Sequence, residues 1–155
     1  MIRIARPFTA LGASGLFLLS FFLVGCGDGR PSRVPVSGRV TIDGKPLPAG
    51  FIQVCPANQR AATGAIGLDG RFKLTTFDPN DGCVVGKHPV AVGGREDKGS
   101  TILWHAPKKY SDLNTSGLEV EITGPTDNVE INLTWDGGKP FKEYLDGERI
   151  RGRKK

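Results

Sequence analysis

Apolar and polar residues alternate along most of the chain between residues 34 and 135. A period of two places one side of an extended strand against a core and the other side against water. The clearest runs are 118–122 and 129–135, where every second residue is apolar. No window of about 11 residues keeps the apolar spacing of an amphipathic helix. The pattern therefore predicts strands throughout this region and no helix.

Turn-forming residues separate these runs. Asp-Gly pairs, which support the positive φ angles of tight hairpins, stand at 43–44, 69–70, 81–82 and 136–137. Pro89 interrupts an alternating run, which predicts an edge strand or a bulge there. About seven short strands with turns every 8–12 residues are typical of an antiparallel sandwich. We therefore expect an all-β protein with a single antiparallel β-sandwich.

The first 25 residues have a different pattern. Arg3 and Arg6 precede an apolar or small-residue run from Phe8 to Val24, and no acidic residue occurs before Asp28. A basic start followed by a short apolar segment is typical of a secretory signal peptide. One alternative is an uncleaved transmembrane anchor, because the run is at the lower edge of the roughly 17–25 residues that span a bilayer. The other is cleavage without lipid attachment.

The signal segment ends in Leu23-Val24-Gly25-Cys26, which resembles the lipobox of bacterial lipoproteins. In that family the cysteine thiol receives a diacylglyceryl group, the peptide bond before it is cut, and the new amino group is usually acylated, for example with palmitate. The resemblance implies that Cys26 bears lipid, and removing the first 25 of 155 residues leaves a mature chain of 130. Two or more acyl chains anchor a protein stably. We expect an exported protein on the inner or outer bacterial membrane, facing the periplasm or the cell surface.

These observations divide the chain into four segments. They are a signal peptide at 1–25, a tether at 26–33, a β-sandwich at 34–136 and a basic tail at 137–155 that we expect to be disordered. The mature chain has 19 basic and 16 acidic residues, a charge of +3 that is too mild to indicate nucleic-acid binding. Alternatively, the tail contacts an anionic envelope polymer or lipid headgroups.

Three segments have motifs of a known domain: VSGRVTIDGKPL at 36–47, LDGRFKL at 68–74 and GCVVGKHPVAV at 82–92. In order and spacing they resemble the carboxypeptidase regulatory-like domain, a transthyretin-like sandwich related in shape to immunoglobulin-like folds. Residues 107–110 and 115–118 resemble its closing half in small planctomycete lipoproteins. The resemblance covers about residues 34–136 and implies a sandwich domain without a peptidase. His88 stands where the family often has tyrosine, so we interpret it as an inward-facing structural residue.

Few residues indicate catalysis or metal binding. His88 and His105 are the two histidines, and neither lies in an HExxH motif or beside paired cysteines. Residues 78–82 (DPNDG) match a calcium loop only partly, and a capped turn is the alternative. We therefore expect no enzymatic activity, no metal and no cofactor.

Two cysteines remain once Cys26 is assigned to lipid. Disulfides persist in exported proteins, which makes Cys55 and Cys83 a candidate disulfide. The alternative is two separate buried thiols.

The segment 93–116 has the least regular pattern, and long loops are often functional. It contains Trp104, His105, Lys108 and Tyr110, aromatic and basic residues that suit a sugar or polymer surface. Alternatively, Trp104 and Tyr110 hold the loop against the sandwich. Two hypotheses follow. The first is a non-catalytic, membrane-anchored envelope lipoprotein that acts as a structural or protein-interaction module. The second is a module that uses this loop to bind carbohydrate or another envelope polymer.

Overall fold

Strands and two short helical turns make up the ordered elements of the computed structural model, which describes residues 29–145. The signal segment, Cys26 and residues 146–155 lie outside the described residues. The strands are β1 (Val36–Ile42), β2 (Lys45–Pro46), β3 (Gly50–Val54), β4 (Ala62–Ile66), β5 (Arg71–Lys73), β6 (Gly86–Gly93), β7 (Arg95–Lys98), β8 (Thr101–Trp104), β9 (Leu118–Ile122), β10 (Thr126–Leu133) and β11 (Phe141–Tyr144). A 3-10 turn at Lys108–Ser111 and the single-turn helix α1 at Leu113–Ser116 lie between β8 and β9.

Strand β1 is the centre of the first sheet. It pairs antiparallel with β2 and β5, and parallel with β10. Asp43 and Gly44 form the two-residue turn into β2 with φ angles of 48° and 74°, as their Asp-Gly sequence predicts. The parallel β1–β10 pair corrects the expectation of a purely antiparallel sandwich. Residue alternation shows which side chains are buried, but it does not show the direction of the neighbouring strand.

The second sheet has the antiparallel order β4-β3-β6-β9. The prediction of an edge strand or a bulge at Pro89 is wrong, because β6 lies between β3 and β9 and keeps a regular register with both. The Pro89 carbonyl accepts the Cys55 N–H at 3.0 Å, so the backbone of Pro89 faces β3. Proline has no N–H to return, so this pair has one backbone bond instead of two, and β3 ends one residue earlier, at Val54.

Side chains from both sheets form one hydrophobic core, which confirms the all-β, sandwich-like fold. The largest fully buried residues are Leu47, Ile52, Leu74, Ile122, Val40, Val54, Val90, Val92 and Cys83. Burying one large aliphatic side chain contributes about 1.5–3 kcal/mol. His88 is buried on the same side of β6 as Val90 and Val92, and its Nε2 lies 3.0 Å from the Val84 carbonyl oxygen.

The region after β6 differs from its predicted form. Residues 93–116 contain the β7–β8 hairpin and both helical turns, so they are not an irregular loop. Each helical turn has four residues, too few to produce a helical apolar pattern.

The predicted disorder of the tail is wrong for Phe141–Tyr144. These residues form β11, which pairs antiparallel with β8 and places Phe141 opposite Trp104. Phe141 provides an aromatic contact that stabilises this pairing. The order of the third sheet is β11-β8-β7.

Candidate functional site

Trp104, the main residue of the predicted binding loop, is packed inside the protein. Only 6% of its surface is exposed. Its ring stacks on Phe141 with centroids 6.1 Å apart and an angle of 14° between the planes. Its Nε1–H donates a hydrogen bond of 2.8 Å to the Glu143 carboxylate. Strand β11 therefore covers the ring that an open sugar-binding site would need.

Lys108 joins the same group of side chains. Its Nζ lies 2.6 Å from a Glu143 carboxylate oxygen and 5.1 Å from the centroid of the Trp104 ring. The Phe141 ring also meets Trp135 edge to face at 6.3 Å. We name Trp104, Lys108, Trp135, Phe141 and Glu143 the Trp104 cluster. Within it, the indole N–H and the ammonium share one carboxylate acceptor.

Tyr110 and His105 face other parts of the protein. Tyr110 is buried, and its hydroxyl accepts the Thr134 N–H at 3.3 Å, at the end of β10. The buried Nε2 of His105 lies 3.5 Å from a Glu96 carboxylate oxygen, without the alignment of a hydrogen bond. The structure thus brings Trp104 and Lys108 together, whereas Tyr110 contacts β10 and His105 faces β7.

The predicted disulfide is absent from the structure, because Cys55 and Cys83 are both free thiols. Cys83 is fully buried and exchanges two backbone hydrogen bonds with Val34, at 2.9 and 3.1 Å. Cys55 is half-buried and bonds instead through its N–H to Pro89. Burial raises the pKa of the Cys83 thiol to about 11, with smaller contributions in the same direction from Cys55 and Asp81. The thiol is therefore neutral and a poor nucleophile at neutral pH.

The DPNDG segment is a capped turn. The Asp81 carboxylate accepts the backbone N–H groups of Thr76, Phe77 and Asp78 at 2.7–3.0 Å. It also lies 2.8 Å from the Arg33 Nε, in an ion pair that is not aligned as a hydrogen bond. Burial acts to raise the pKa of Asp81, but the amide hydrogen bonds and Arg33 together lower it. Among residues 29–145, no group of three acidic, histidine or cysteine side chains is placed to hold a metal ion.

A groove of about 760 Å³ lies beside the β4–β5 hairpin, on a different part of the surface from the predicted loop. Ile66 and Phe72 are buried beneath it, and Phe51, which is 38% exposed, stands in its wall. Arg71 and Lys73 provide its charged groups. The alternation around Phe72 indicates that these two cations face outward, but the sequence gives no signal for a groove.

Comparisons of the chain with protein-family models, curated proteins and solved structures give no match. In the described part of the chain, no helix is long and apolar enough to cross a membrane.

Proposed function

We propose that this chain is a bacterial envelope lipoprotein, held on a membrane by lipid on Cys26, and that its sandwich is a non-catalytic interaction module. One observation supports the anchor above all others: Leu23-Val24-Gly25-Cys26 follows a basic start and a short apolar run. The proposed family of the sandwich is the carboxypeptidase regulatory-like domain, from the motifs at 36–47, 68–74 and 82–92.

The packing of the candidate reactive groups supports a non-catalytic role. The His88 ring is buried against the Val84 carbonyl, and the Cys83 thiol is buried with a raised pKa. Neither group is presented to a substrate in the form that general-base or nucleophilic catalysis requires. The burial of Trp104 likewise gives no support to polymer binding by the face of that ring.

Fractionation of the expressing bacterium, combined with labelled palmitate, tests the anchor. We expect the wild-type protein and the control variant Cys55→Ser in the membrane fraction with label incorporated, and Cys26→Ser without label. If the wild type takes up no label, or Cys26→Ser takes up as much as the wild type, the lipid proposal is wrong.

A further inference from the structure

Three cationic side chains stand together on the outer face of the first sheet. Arg39 in β1 is directly opposite Arg71 in β5, and Lys73 follows two residues later on the same side of β5. All three residues are exposed. Like charges directly opposite each other destabilise a strand pair. The placement of Arg39 opposite Arg71 therefore does not stabilise the β1–β5 pair.

Acidic residues neutralise this group only in part. Asp69 lies 3.7 Å from the Arg71 Nε, and both side chains are at least 60% exposed, so the pair is weak. Glu130 is beside Arg39 in the β1–β10 register but forms no ion pair with it. In the described part of the chain, Lys73 has no acidic partner. A ligand that brings negative charge would supply what the protein lacks.

The groove beside β4 and β5 gives such a ligand a place to lie. Arg71 and Lys73 line it, and none of its lining residues is acidic. Phe51 offers an apolar ring in its wall. The Ser37 and Thr63 hydroxyls line it as well, without hydrogen-bond partners among residues 29–145. Cations, hydroxyls and one partly exposed ring together match an acidic sugar, which has carboxylates, hydroxyls and an apolar ring face.

The backbone around the groove disfavours an acidic peptide added as an extra strand. Thr63 and Thr75 exchange two backbone hydrogen bonds at 2.9 and 2.8 Å, and the Gly67 N–H donates to the Arg71 carbonyl at 2.9 Å. These bonds join the outer edge of β4 to the segment that contains β5 at both ends of the groove. A peptide that adds a strand needs a continuous free edge.

We propose that this groove binds an acidic polysaccharide, with carboxylates on Arg71 and Lys73, a further carboxylate on Arg39 beside the groove, and a sugar ring against Phe51. The choice of an envelope polymer as ligand rests on the proposed location outside the cell. The site itself does not depend on the anchor. The groove shares no residue with the Trp104 cluster. The proposed polymer site therefore lies beside β4 and β5 and not in the 93–116 segment that the sequence predicts.

Titration of the purified, detergent-solubilised full chain with polygalacturonate tests the site. We expect saturable binding that weakens as salt is added. The double variant Arg71→Gln, Lys73→Gln should lose at least about tenfold in affinity, because each lost bond to a charged group is worth on the order of tenfold or more. The control Lys142→Gln, an exposed lysine on β11, should bind as the wild type does.

Three results would overturn the proposal: wild-type affinity in the double variant, equal affinity for the neutral polymer dextran, or preferential binding of poly-glutamate. A melting temperature at or above that of the wild type shows that weaker binding by the double variant is not caused by unfolding. Failure of the lipid anchor would leave this binding intact, because it is measured in solution. Failure of the binding would leave the membrane fractionation unchanged.

Discussion

The Trp104 cluster and the β4–β5 groove both combine aromatic and cationic side chains, but they differ in what those side chains contact. In the cluster, Glu143 accepts from the Trp104 N–H and pairs with Lys108. In the groove, Lys73 has no acidic partner in the described part of the chain, and Arg71 has only the weak pair with Asp69. The first region satisfies its polar groups internally, whereas the second leaves charge for a ligand.

This difference shows that residue type alone does not identify a binding surface. Trp104 and Lys108 are the residue types expected of a sugar site, yet β11 covers the Trp104 ring and Glu143 pairs with Lys108. A cation is a candidate for binding when the protein itself leaves it without a partner. That condition depends on contacts between strands far apart in the sequence.

Truncating Trp104 should have the largest effect on stability. Trp104→Ala removes a buried ring and its contact with Phe141, so we expect the free energy of unfolding to fall by about 3–5 kcal/mol. Denaturant titration measures this loss, with Leu68→Ala as the control because Leu68 is 87% exposed. If the two variants are equally stable, Trp104 is not packed as described and the comparison of the two regions fails.

Removing the charge of Asp81 should have the next largest effect. Asp81→Ala leaves three backbone N–H groups without their acceptor and Arg33 without its ion-pair partner, at a cost of about 2–4 kcal/mol. Because the pKa of Asp81 is lowered in the folded protein, its carboxylate contributes fully above its ordinary pKa of 3.8. That contribution is lost as the pH falls through the folded-state value.

Unfolding measurements from pH 7 down to pH 2 check this prediction. The wild type and Asp81→Ala should converge in stability in strong acid, whereas the control Asp127→Ala should follow the wild type throughout. A gap between wild type and Asp81→Ala that does not depend on pH would show that the carboxylate charge contributes nothing.

Weakening the carboxylate of the Trp104 cluster should have a smaller effect. Glu143→Gln keeps an oxygen for the Trp104 N–H but loses the charge that pairs with Lys108, so we expect a loss of about 0.5–1 kcal/mol. Denaturant titration with Glu130→Gln as the control measures it. A larger loss for Glu130→Gln would place the important carboxylate beside Arg39 rather than in the cluster.

Removing one cation beside the groove should change stability least, and in the opposite direction. Arg39→Gln relieves the repulsion between Arg39 and Arg71, so we expect a gain of about 0.2–1 kcal/mol. The control Lys142→Gln should leave the free energy of unfolding unchanged. A clear loss of stability in Arg39→Gln would mean that Arg39 forms an ion pair with Glu130 in solution. The positive charge of Arg39 would then already be neutralised within the protein.

The local features of the fold could be predicted from the sequence, but its pairings could not. Alternation identified the principal strands, and Asp43-Gly44 gave the turn between β1 and β2. The parallel β1–β10 pair and the interior place of β6 depend on contacts between distant segments. The short strand β11 was missed because charged and turn-forming residues surround its two aromatic residues.

The candidate site was less predictable than the fold. The alternation of Arg71 and Lys73 with Phe72 predicts that they lie on the polar side of a strand, but their position opposite Arg39 and Ser37 depends on the β1–β5 register. The packing of Trp104 depends on β11, which follows it by more than 30 residues. Neither relation is visible in local spacing.

The mass of the mature N-terminus tests the central claim most directly. Protein extracted from the membrane, digested and measured by mass spectrometry should lack residues 1–25 and begin with an acylated Cys26. An unmodified Cys26, or a chain that still begins with Met1, would contradict the proposed lipid anchor.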